Sequence, residues 1–315
     1  MALKKQKGIA LIVVLWMLVV MTVIALAFSQ SVRTEVMLTA NHQNQAKALA
    51  LAEAGIWRGA AMVLNRSIAD SNGERFNLAG SVYELESDKG DLLVSLQSCS
   101  GLVDLNRAPP EIIKGILEAV VSSSETVDVI SDSLLDWRDE DDLKRVAGAE
   151  QGDYESLGLA YGPNNGLMNS VSELARVNGV TPDIYEGLKS MMTVYSGQSR
   201  IDIGSAPEEV IASLPGMEGT VVETIMSGRE TGNKHLDLTQ IPSETRKYIG
   251  AGQNEFIRIS SFAKVNGTVS GINSVVKLEA TKQQPVTVMT WRQDIDAVFF
   301  NGSLEREQAS DSQIH

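Results

Sequence analysis

The residues best suited to chemistry form a cluster of carboxylates near the middle of the chain. The cluster consists of Asp136, Asp139, Glu140, Asp141, Asp142, Glu150 and Asp153. Carboxylate oxygens are the ligands that Ca²⁺ prefers, so the cluster is a candidate calcium site. The spacing is not that of an EF-hand, because Lys144 occupies the sixth position from Asp139, where that loop requires glycine. By spacing alone, a solvated acidic loop is the more common meaning of such a run, and a metal site is the alternative.

Catalytic motifs do not accompany this cluster. The sequence has no His-Glu-x-x-His, no Gly-x-Ser-x-Gly and no P-loop lysine, and it contains only 3 histidines. Cys99 is the only cysteine, so no intramolecular disulfide forms. The net charge of −13 argues against a nucleic-acid-binding surface, and the only strongly basic cluster is Lys4, Lys5 and Lys7. We therefore expect a protein that is not an enzyme.

The N-terminus has the pattern of a membrane-spanning helix. No charged residue occurs from Gly8 to Val32, and the apolar run over about 9–29 is long enough to cross a bilayer. Because the lysines precede this run, the positive-inside rule places residues 1–8 in the cytoplasm and the bulk of the chain across the membrane. A secretory signal cleaved near Ala27 is the alternative, although the run is longer than a usual signal core.

Helix-forming sequence continues beyond the predicted span. No proline interrupts it up to Asn65, which predicts a single helix over 9–65. Apolar residues at three- and four-residue steps predict an amphipathic outer half that packs on a globular domain. This stripe consists of Met37, Leu38, Leu49, Ala52, Ile56, Ala60 and Val63.

Strand patterns lie on both sides of a helical segment. Alternating runs bounded by glycines predict two strands within 66–103 and three within 254–300. Prolines and capping sequences that start helices fill 104–253. The expected fold is therefore α+β, with the long N-terminal helix packed on a small antiparallel sheet and a large all-helical domain inserted at 104–253.

The inserted segment contains an internal repeat. Val103-Asp-Leu-Asn-Arg-Ala-Pro-Pro-Glu-Ile-Ile113 matches Ile201-Asp-Ile-Gly-Ser-Ala-Pro-Glu-Glu-Val-Ile211, an offset of 98 residues from Val103 to Ile201. We expect two related helical units over about 104–195 and 199–250.

The second copy continues with a sequence that suggests a rival function. Leu214-Pro-Gly-Met-Glu-Gly219 resembles the hairpin of helix-hairpin-helix DNA-binding modules, so a membrane-anchored DNA-binding protein is an alternative hypothesis. Backbone amides of such hairpins meet a phosphate, which acids nearby repel. Glu208, Glu209, Glu218 and Glu223 surround this turn, and we therefore expect no nucleic-acid partner.

The extreme N-terminus resembles the leader of type IV pilins and pseudopilins. Lys4-Lys5-Gln6-Lys7-Gly8 is followed directly by the apolar helix that begins at Ile9. The resemblance implies that a prepilin peptidase removes the leader, residues 1–8, between Gly8 and Ile9, and that Ile9 becomes the N-methylated first residue. Most family members have glutamate five residues into the mature chain, whereas Val13 stands here. The minor pseudopilin K branch of type II secretion is the one that lacks this glutamate.

Three further stretches are similar to the type II secretion pseudopilin K family. They are Leu135-Asp-Trp-Arg-Asp-Glu-Asp-Asp142, Gly148-Ala-Glu-Gln-Gly-Asp-Tyr154 and Asn169-Ser-Val-Ser-Glu-Leu-Ala-Arg-Val-Asn-Gly-Val-Thr-Pro-Asp-Ile-Tyr185. The resemblance implies a pseudopilin α+β core at 66–103 and 254–300 around the inserted helical domain. It also implies a structural calcium ion, and the ligands we expect are Asp136, Asp139, Asp141, Glu150 and Asp153.

The same resemblance implies a role in assembly. Such a protein caps the tip of a periplasmic pseudopilus and helps to initiate its assembly, for export of folded proteins across the outer membrane. The implied partners are minor pseudopilins I and J, the pseudopilus, the prepilin peptidase and the inner membrane, with contact to exoproteins as a further expectation. The protein would be single-pass, with a cytoplasmic N-terminus and a periplasmic bulk. We expect disorder in the tail, 304–315.

Overall fold

The computed structural model describes residues 9–65, 76–230 and 241–294. The expected leader at 1–8, which includes Gly8, and the tail at 304–315 lie outside the described residues. The helices are α1 (Ile9–Leu64), α2 (Pro110–Glu118), α3 (Ser124–Arg138), α4 (Gln151–Ser156), α5 (Pro182–Leu188), α6 (Glu208–Ala212) and α7 (Gly219–Glu230). The strands are β1 (Ala79–Glu84), β2 (Asp91–Ser98), β3 (Val103–Asp104), β4 (Met192–Thr193), β5 (Phe256–Val265), β6 (Thr268–Leu278) and β7 (Val286–Arg292).

The first helix has two halves with different surroundings. Apolar side chains up to Leu38 are exposed, whereas Ala52, Ile56 and Ala60 are buried against the sheet. The predicted stripe is therefore wrong for its first two members, Met37 and Leu38, which touch no part of the sheet core. The tip of the β5–β6 hairpin lies beside Asn44, whose Oδ1 accepts a hydrogen bond from Asn266 Nδ2 at 3.1 Å, and the buried side chains of α1 begin only beyond it, at Ala48.

The main sheet is antiparallel and has five strands in the order β1-β2-β5-β6-β7. A two-residue Asn-Gly turn joins β5 to β6, with φ of 49° at Asn266 and 80° at Gly267. Positive φ at both positions is typical of the turns that match the twist of a hairpin. The strand side chains packed under α1 are Leu92, Val94, Leu96, Ile257, Ile259, Ile272 and Val276.

Small residues let α1 lie close to the sheet. A Cβ at Gly55 would lie 2.1 Å from Ser261 Oγ, and one at Gly59 would lie 3.0 Å from both Ile259 and Val94. Since interiors are close-packed, larger side chains at these two positions would push the helix off the strands.

Within the described ranges, the helices after α1 lie between β2 and β5 in the chain, and they have an apolar core of their own. Each repeat copy begins with a residue that forms a parallel bridge to the end of its own unit. Val103 in β3 pairs with Met192 in β4, and Ile201 pairs with Ile249. The α+β fold expected from the sequence is confirmed, with the long apolar helix, the antiparallel sheet and the helical part all present.

Candidate functional site

The two copies of the repeat begin with the same turn. In the first copy, Asp104 Oδ1 accepts a hydrogen bond from the backbone N–H of Asn106 at 2.9 Å. In the second copy, Asp202 Oδ1 accepts from the backbone N–H of Gly204 at 3.0 Å. An aspartate that bonds the backbone two residues later stabilises a turn. Each turn then leads through a proline into a helix, α2 in the first copy and α6 in the second.

An arginine at the end of α3 holds the first turn in place. Arg138 donates from Nη1 to the carbonyl oxygen of Leu105 at 2.6 Å and from Nη2 to that of Ala108 at 2.8 Å. Burial lowers the pKa of its guanidinium. A planar guanidinium presents several donors in a fixed geometry, so one side chain spans both carbonyls. The contact fixes the C-terminal end of α3 and therefore the start of the acidic loop.

The second copy repeats this contact. Arg229, near the end of α7, donates from Nη1 to the carbonyl oxygen of Ala206 at 2.7 Å and from Nη2 to that of Ile203. These carbonyls occupy the repeat positions equivalent to those that Arg138 contacts. Burial also lowers the pKa of the Arg229 guanidinium. We call the two contacts the arginine clamps; the duplication thus extends to tertiary structure.

The acidic loop directly follows the first clamp. Asp136 is fully buried in the last turn of α3, and Asp139 caps the helix end. Arg145 Nη1 contacts Asp136 Oδ1 at 2.6 Å and Asp139 Oδ2 at 2.5 Å. The loop packs tightly here, since a Cβ at Gly148 would lie 1.9 Å from Asp136 Oδ2. Arg145 therefore supplies the positive charge between these two carboxylates.

The start of α4 brings two more carboxylates to the loop. Glu150 is buried at the N-cap, and its backbone N–H donates to Asp153 Oδ2 at 2.9 Å. Burial, and then the charges of Asp136 and Asp139, raise the pKa of the Glu150 carboxyl. Lys144 Nζ contacts Asp153 Oδ1 at 2.6 Å, and this bond lowers the pKa of Asp153.

The structure brings together only part of the expected calcium ligand set. Asp136, Asp139 and Glu150 lie around the loop interior, whereas Asp141 is exposed and accepts from the backbone N–H of Leu143 at 2.9 Å. Asp153 is engaged by a lysine. Among the residues that the structure describes, no three Asp, Glu, His or Cys side chains converge closely enough to hold a metal ion.

The loop nevertheless has donors that suit a hard cation. Both carboxylate oxygens of Glu150 and Oδ1 of Asp139 are buried without a hydrogen-bond partner in the described part of the chain. Buried carboxylate oxygens without a donor are costly unless a cation neutralises them. Carboxylates of this kind fit calcium chemically. In this structure the guanidinium of Arg145 supplies the positive charge that a bound calcium ion would supply.

The hairpin of the second copy, which contains Gly216, lies against the side chain of Glu244. Gly216 has φ of 75°, and a Cβ there would lie 2.6 Å from Glu244 Oε1. Thr245 Oγ1 donates to the carbonyl oxygen of Pro215 at 2.8 Å, which fixes this downstream segment on the turn. A carboxylate beside the hairpin repels phosphate, so the geometry disfavours the DNA-binding alternative.

The other candidate site is α1 itself. Of the helices in the described residues, α1 is the one long and apolar enough to cross a membrane. Its most apolar stretch of 18 residues is not buried. A signal sequence near an N-terminus meets the same criteria of length and composition. Ile9 is the first residue of α1, while Gly8 lies outside the described residues, so cleavage and methylation stay predictions.

Sequence reasoning missed the arginine clamps and the role of Arg145. The clamps lie 91 residues apart, from Arg138 to Arg229, whereas the repeat offset is 98. The difference of 7 residues arises because α2 has 9 residues and α6 only 5, and because Arg138 is the fifteenth residue of α3 whereas Arg229 is the eleventh of α7. The segment between the two helices is one residue longer in the second copy. A comparison at fixed offset therefore does not pair the arginines, although a gapped comparison of the two copies could have done so.

Family comparisons match two parts of the chain. A sequence model described as "Type II secretion system (T2SS), protein K" matches residues 75–197, and one described as "PilX N-terminal" matches residues 7–56. The first covers β1 to β4 with the acidic loop, and the second covers most of α1.

Two curated relatives are both named "Type II secretion system protein K". The relative from Pectobacterium carotovorum subsp. carotovorum is 25% identical over 204 residues, which is 58% of this chain and 61% of the relative. The relative from Klebsiella pneumoniae is 26% identical over 248 residues, which is 70% of this chain and 73% of the relative. The chain thus spans about three fifths of the length of the first relative.

A solved structure shares the fold. It is titled "The Crystal Structure of the GspK-GspI-GspJ complex from enterotoxigenic Escherichia coli Type 2 Secretion System", and the matching chain is 16% identical with a TM-score of 0.55. The match covers 84% of this chain and 100% of that chain. Residues 75–197 are therefore similar to protein K of type II secretion systems, and the resemblance to that family predicted from the sequence is confirmed.

Proposed function

We propose that the chain is a minor pseudopilin of a type II protein secretion system, anchored in the inner membrane with its head in the periplasm. The observation that carries this proposal is the division of α1. Its first part is apolar and exposed on all sides, and its second part is buried on the sheet from Ala48 onward. An exposed apolar helix of this length requires a membrane or other apolar helices around it.

The proposed position is the tip of the pseudopilus, where the subunit helps to initiate assembly. Val13 supports this position, because it places no carboxylate where most pilin-type subunits carry one to pair with a neighbour's terminal amine. An unpaired charge in an apolar environment is costly, so a subunit with no neighbour beyond it benefits from an apolar residue there. The helical part between β2 and β5 adds bulk that suits a filament end better than its interior.

The proposed partners are the minor pseudopilins I and J. Support comes from the solved structure with the same fold, whose title names a GspK-GspI-GspJ complex. We also propose that the pseudopilus containing this subunit serves the export of folded proteins across the outer membrane. A role without catalysis also fits relatives that are named as secretion-system components.

Processing of the N-terminus tests the pseudopilin proposal. N-terminal mass spectrometry would compare the mature protein from cells with and without the prepilin peptidase. We expect a start at methylated Ile9 that is lost in the peptidase mutant. A start near Phe28 would instead indicate a secreted protein, and an intact Met1 in both strains would indicate a plain membrane anchor.

A structural calcium ion at the acidic loop is the second part of the proposal. The unpartnered oxygens of Glu150 and Asp139 support it, because a cation would satisfy them. Calcium would then compete with Arg145 for Asp136 and Asp139. Binding would order the loop through charge neutralisation, since the ligand carboxylates repel one another without a cation.

Titration calorimetry of the full chain in detergent tests this site. We expect calcium binding that Glu150→Gln weakens about tenfold or more, because the side chain loses its negative charge and one of its two carboxylate oxygens. The matched control is Glu155→Gln on the outer side of α4, which should change affinity less than about twofold. Arg145→Gln should strengthen binding by removing the competing cation. No heat at millimolar calcium would contradict the site.

A further inference from the structure

A small cavity lies where the main sheet meets the inserted helical part. It has a volume of about 50 Å³, and its walls come from β5, β6 and β7 and from Lys189 and Ser190, the two residues that follow α5. Side chains alternate between the two faces of a strand, and Ile272 belongs to the apolar core under α1. Its neighbour Asn273, which lines the cavity, therefore lies on the opposite face of the sheet. The cavity is thus on the side of the sheet that α1 does not cover.

Three positively charged side chains line this cavity, Lys189, Arg258 and Arg292. Within the residues that the structure describes, the side chain of Arg292 makes no hydrogen bond and no ion pair. The chain as a whole carries a net charge of −13, so positive charge is concentrated locally here. Since like charges repel one another, three cations around one small space favour the entry of an anion.

Arg258 is held in place as part of the cavity wall. Its Nη1 donates to the carbonyl oxygen of Ser190 at 2.7 Å, and its Nη2 donates to that of Met192. Carbonyl oxygens carry no net charge, so these bonds position the guanidinium without neutralising it. They also fix the segment that carries Lys189 against the sheet. The positive charges on the two sides of the cavity therefore face each other across a fixed gap.

Two carboxylates balance part of this charge. Lys189 Nζ contacts Glu186 Oε2 at 2.5 Å, and Asp294 lines the cavity. The hydrogen bond to Glu186 raises the pKa of Lys189, and the charge of Asp294 adds to this shift. Three positive charges less two negative charges leave a net charge of +1 around the cavity. A ligand with a single negative charge would complete the balance.

The hydrogen-bond donors around the cavity suit an oxyanion. Thr290 Oγ1 accepts from the backbone N–H of Val275 at 2.9 Å, and its own hydrogen has no acceptor among the described residues. The guanidinium of Arg292 presents a planar fork that matches the two oxygens of a carboxylate. A water molecule in the liquid occupies about 30 Å³, so a cavity of about 50 Å³ admits only a small group. Charge, donors and volume together match one carboxylate.

We infer that this cavity binds a single carboxylate group, which joins β7 to the helical part. Arg292 and Thr290 hold it from the sheet, and Lys189 holds it from the segment after α5. A carboxylate can come from this chain or from another protein. Asp296 lies two residues beyond Asp294, outside the described residues, and two residues of extended chain reach about 7 Å. An acidic side chain of a partner carries the same group, and the inference does not depend on the partners proposed above.

Thermal unfolding of the full chain in detergent tests the site. Melting temperatures are compared in acetate and in chloride at pH 7 and equal ionic strength, because acetate supplies the carboxylate alone. At about ten times its dissociation constant, acetate should raise the melting temperature by about 3–6 °C. Arg292→Gln and Lys189→Gln, on opposite walls, should each abolish this rise. The matched control is Arg107→Gln, an exposed arginine outside the cavity, which should keep it.

The variant Asp296→Asn separates the two sources of the carboxylate. A rise in acetate for the unaltered chain would assign the bound group to another protein. A rise only after Asp296→Asn, with a lower melting temperature of that variant in chloride, would assign it to Asp296. No rise in either chain would overturn the inference, as would an equal rise in Arg292→Gln. A cooperative transition in chloride shows that each variant folds.

Discussion

The first helical copy, α2 with α3, and the second, α6 with α7, begin alike and end differently. Both start with an aspartate-stabilised turn, and in both an arginine at the end of the second helix holds two carbonyls of that turn. Leu134 and Ile225, four residues before each arginine, are both buried. Two residues before the arginine, however, the first copy has Asp136 and the second has Ser227.

This difference shows which part of the duplicated unit is structural and which part carries the candidate site. The clamp joins the turn that begins each helix pair to the end of its second helix, so we expect both copies to depend on it for stability. Asp136 instead reaches the loop beyond the clamp, where it meets Arg145. Ser227 is exposed and its hydroxyl donates to carbonyls of its own helix. The first copy thus uses the clamp as a fixed base for an acidic loop.

The largest expected effect is loss of a clamp. Arg138→Met and Arg229→Met should each lower the free energy of unfolding by about 3 kcal/mol, because two buried carbonyls lose charged donors. At 2–4 °C per kcal/mol, the melting temperature should fall by about 6–12 °C in calorimetry of the full chain. If the copies are equivalent, the two losses agree within about 1 kcal/mol.

Two controls sharpen this comparison. Arg107→Met changes an exposed arginine and should cost less than about 0.5 kcal/mol. Arg138→Lys keeps the charge but presents a compact ammonium, which does not span both carbonyls, so it should recover less than half of the loss. A cost for one clamp only would show that the copies have diverged in their folding as well as in their loops.

A smaller effect is expected where the copies differ. Asp136→Ser, which imitates the second copy, should cost about 2 kcal/mol because it removes the buried partner of Arg145. The figure is below that for a fully buried pair, since the Arg145 side chain is 38% exposed and that of Asp136 is 0% exposed. Ser227→Asp should change stability by less than about 0.5 kcal/mol. Equal melting temperatures for the two swaps would mean that Asp136 does not hold the loop.

The sequence predicted much of the fold because its signals were local. Apolar length indicated α1, alternation and glycines indicated the strands, and the repeated turn indicated two helical units. The clamps join residues 23 to 33 positions apart in the chain, and no local pattern encodes them. The Arg145 contacts span only six and nine residues, but they lie in an irregular loop without a periodic pattern. The residue of α1 at which the sheet begins to pack could not be predicted from the sequence, because it depends on how far the Asn266-Gly267 hairpin extends along the helix. Asp141 was likewise expected among the calcium ligands because it lies close to the other acids in sequence. In the structure it is held at the surface by a hydrogen bond from the backbone N–H of Leu143.

The smallest expected effect concerns the hairpins between the two helices of each copy. Both hairpins begin with a residue in helical conformation, Ala119 at φ of −68° and Ser213 at φ of −80°, but the second hairpin also contains Gly216 at φ of 75°. Gly216→Ala should therefore cost about 1 kcal/mol and Ala119→Gly about 0.5–1 kcal/mol, so each substitution destabilises its own hairpin. Adding Glu244→Ala to Gly216→Ala removes the close contact and leaves the cost of the backbone conformation. Thermal unfolding of the single and double variants measures each part. A neutral Gly216→Ala would show that the second hairpin tolerates the backbone of the first.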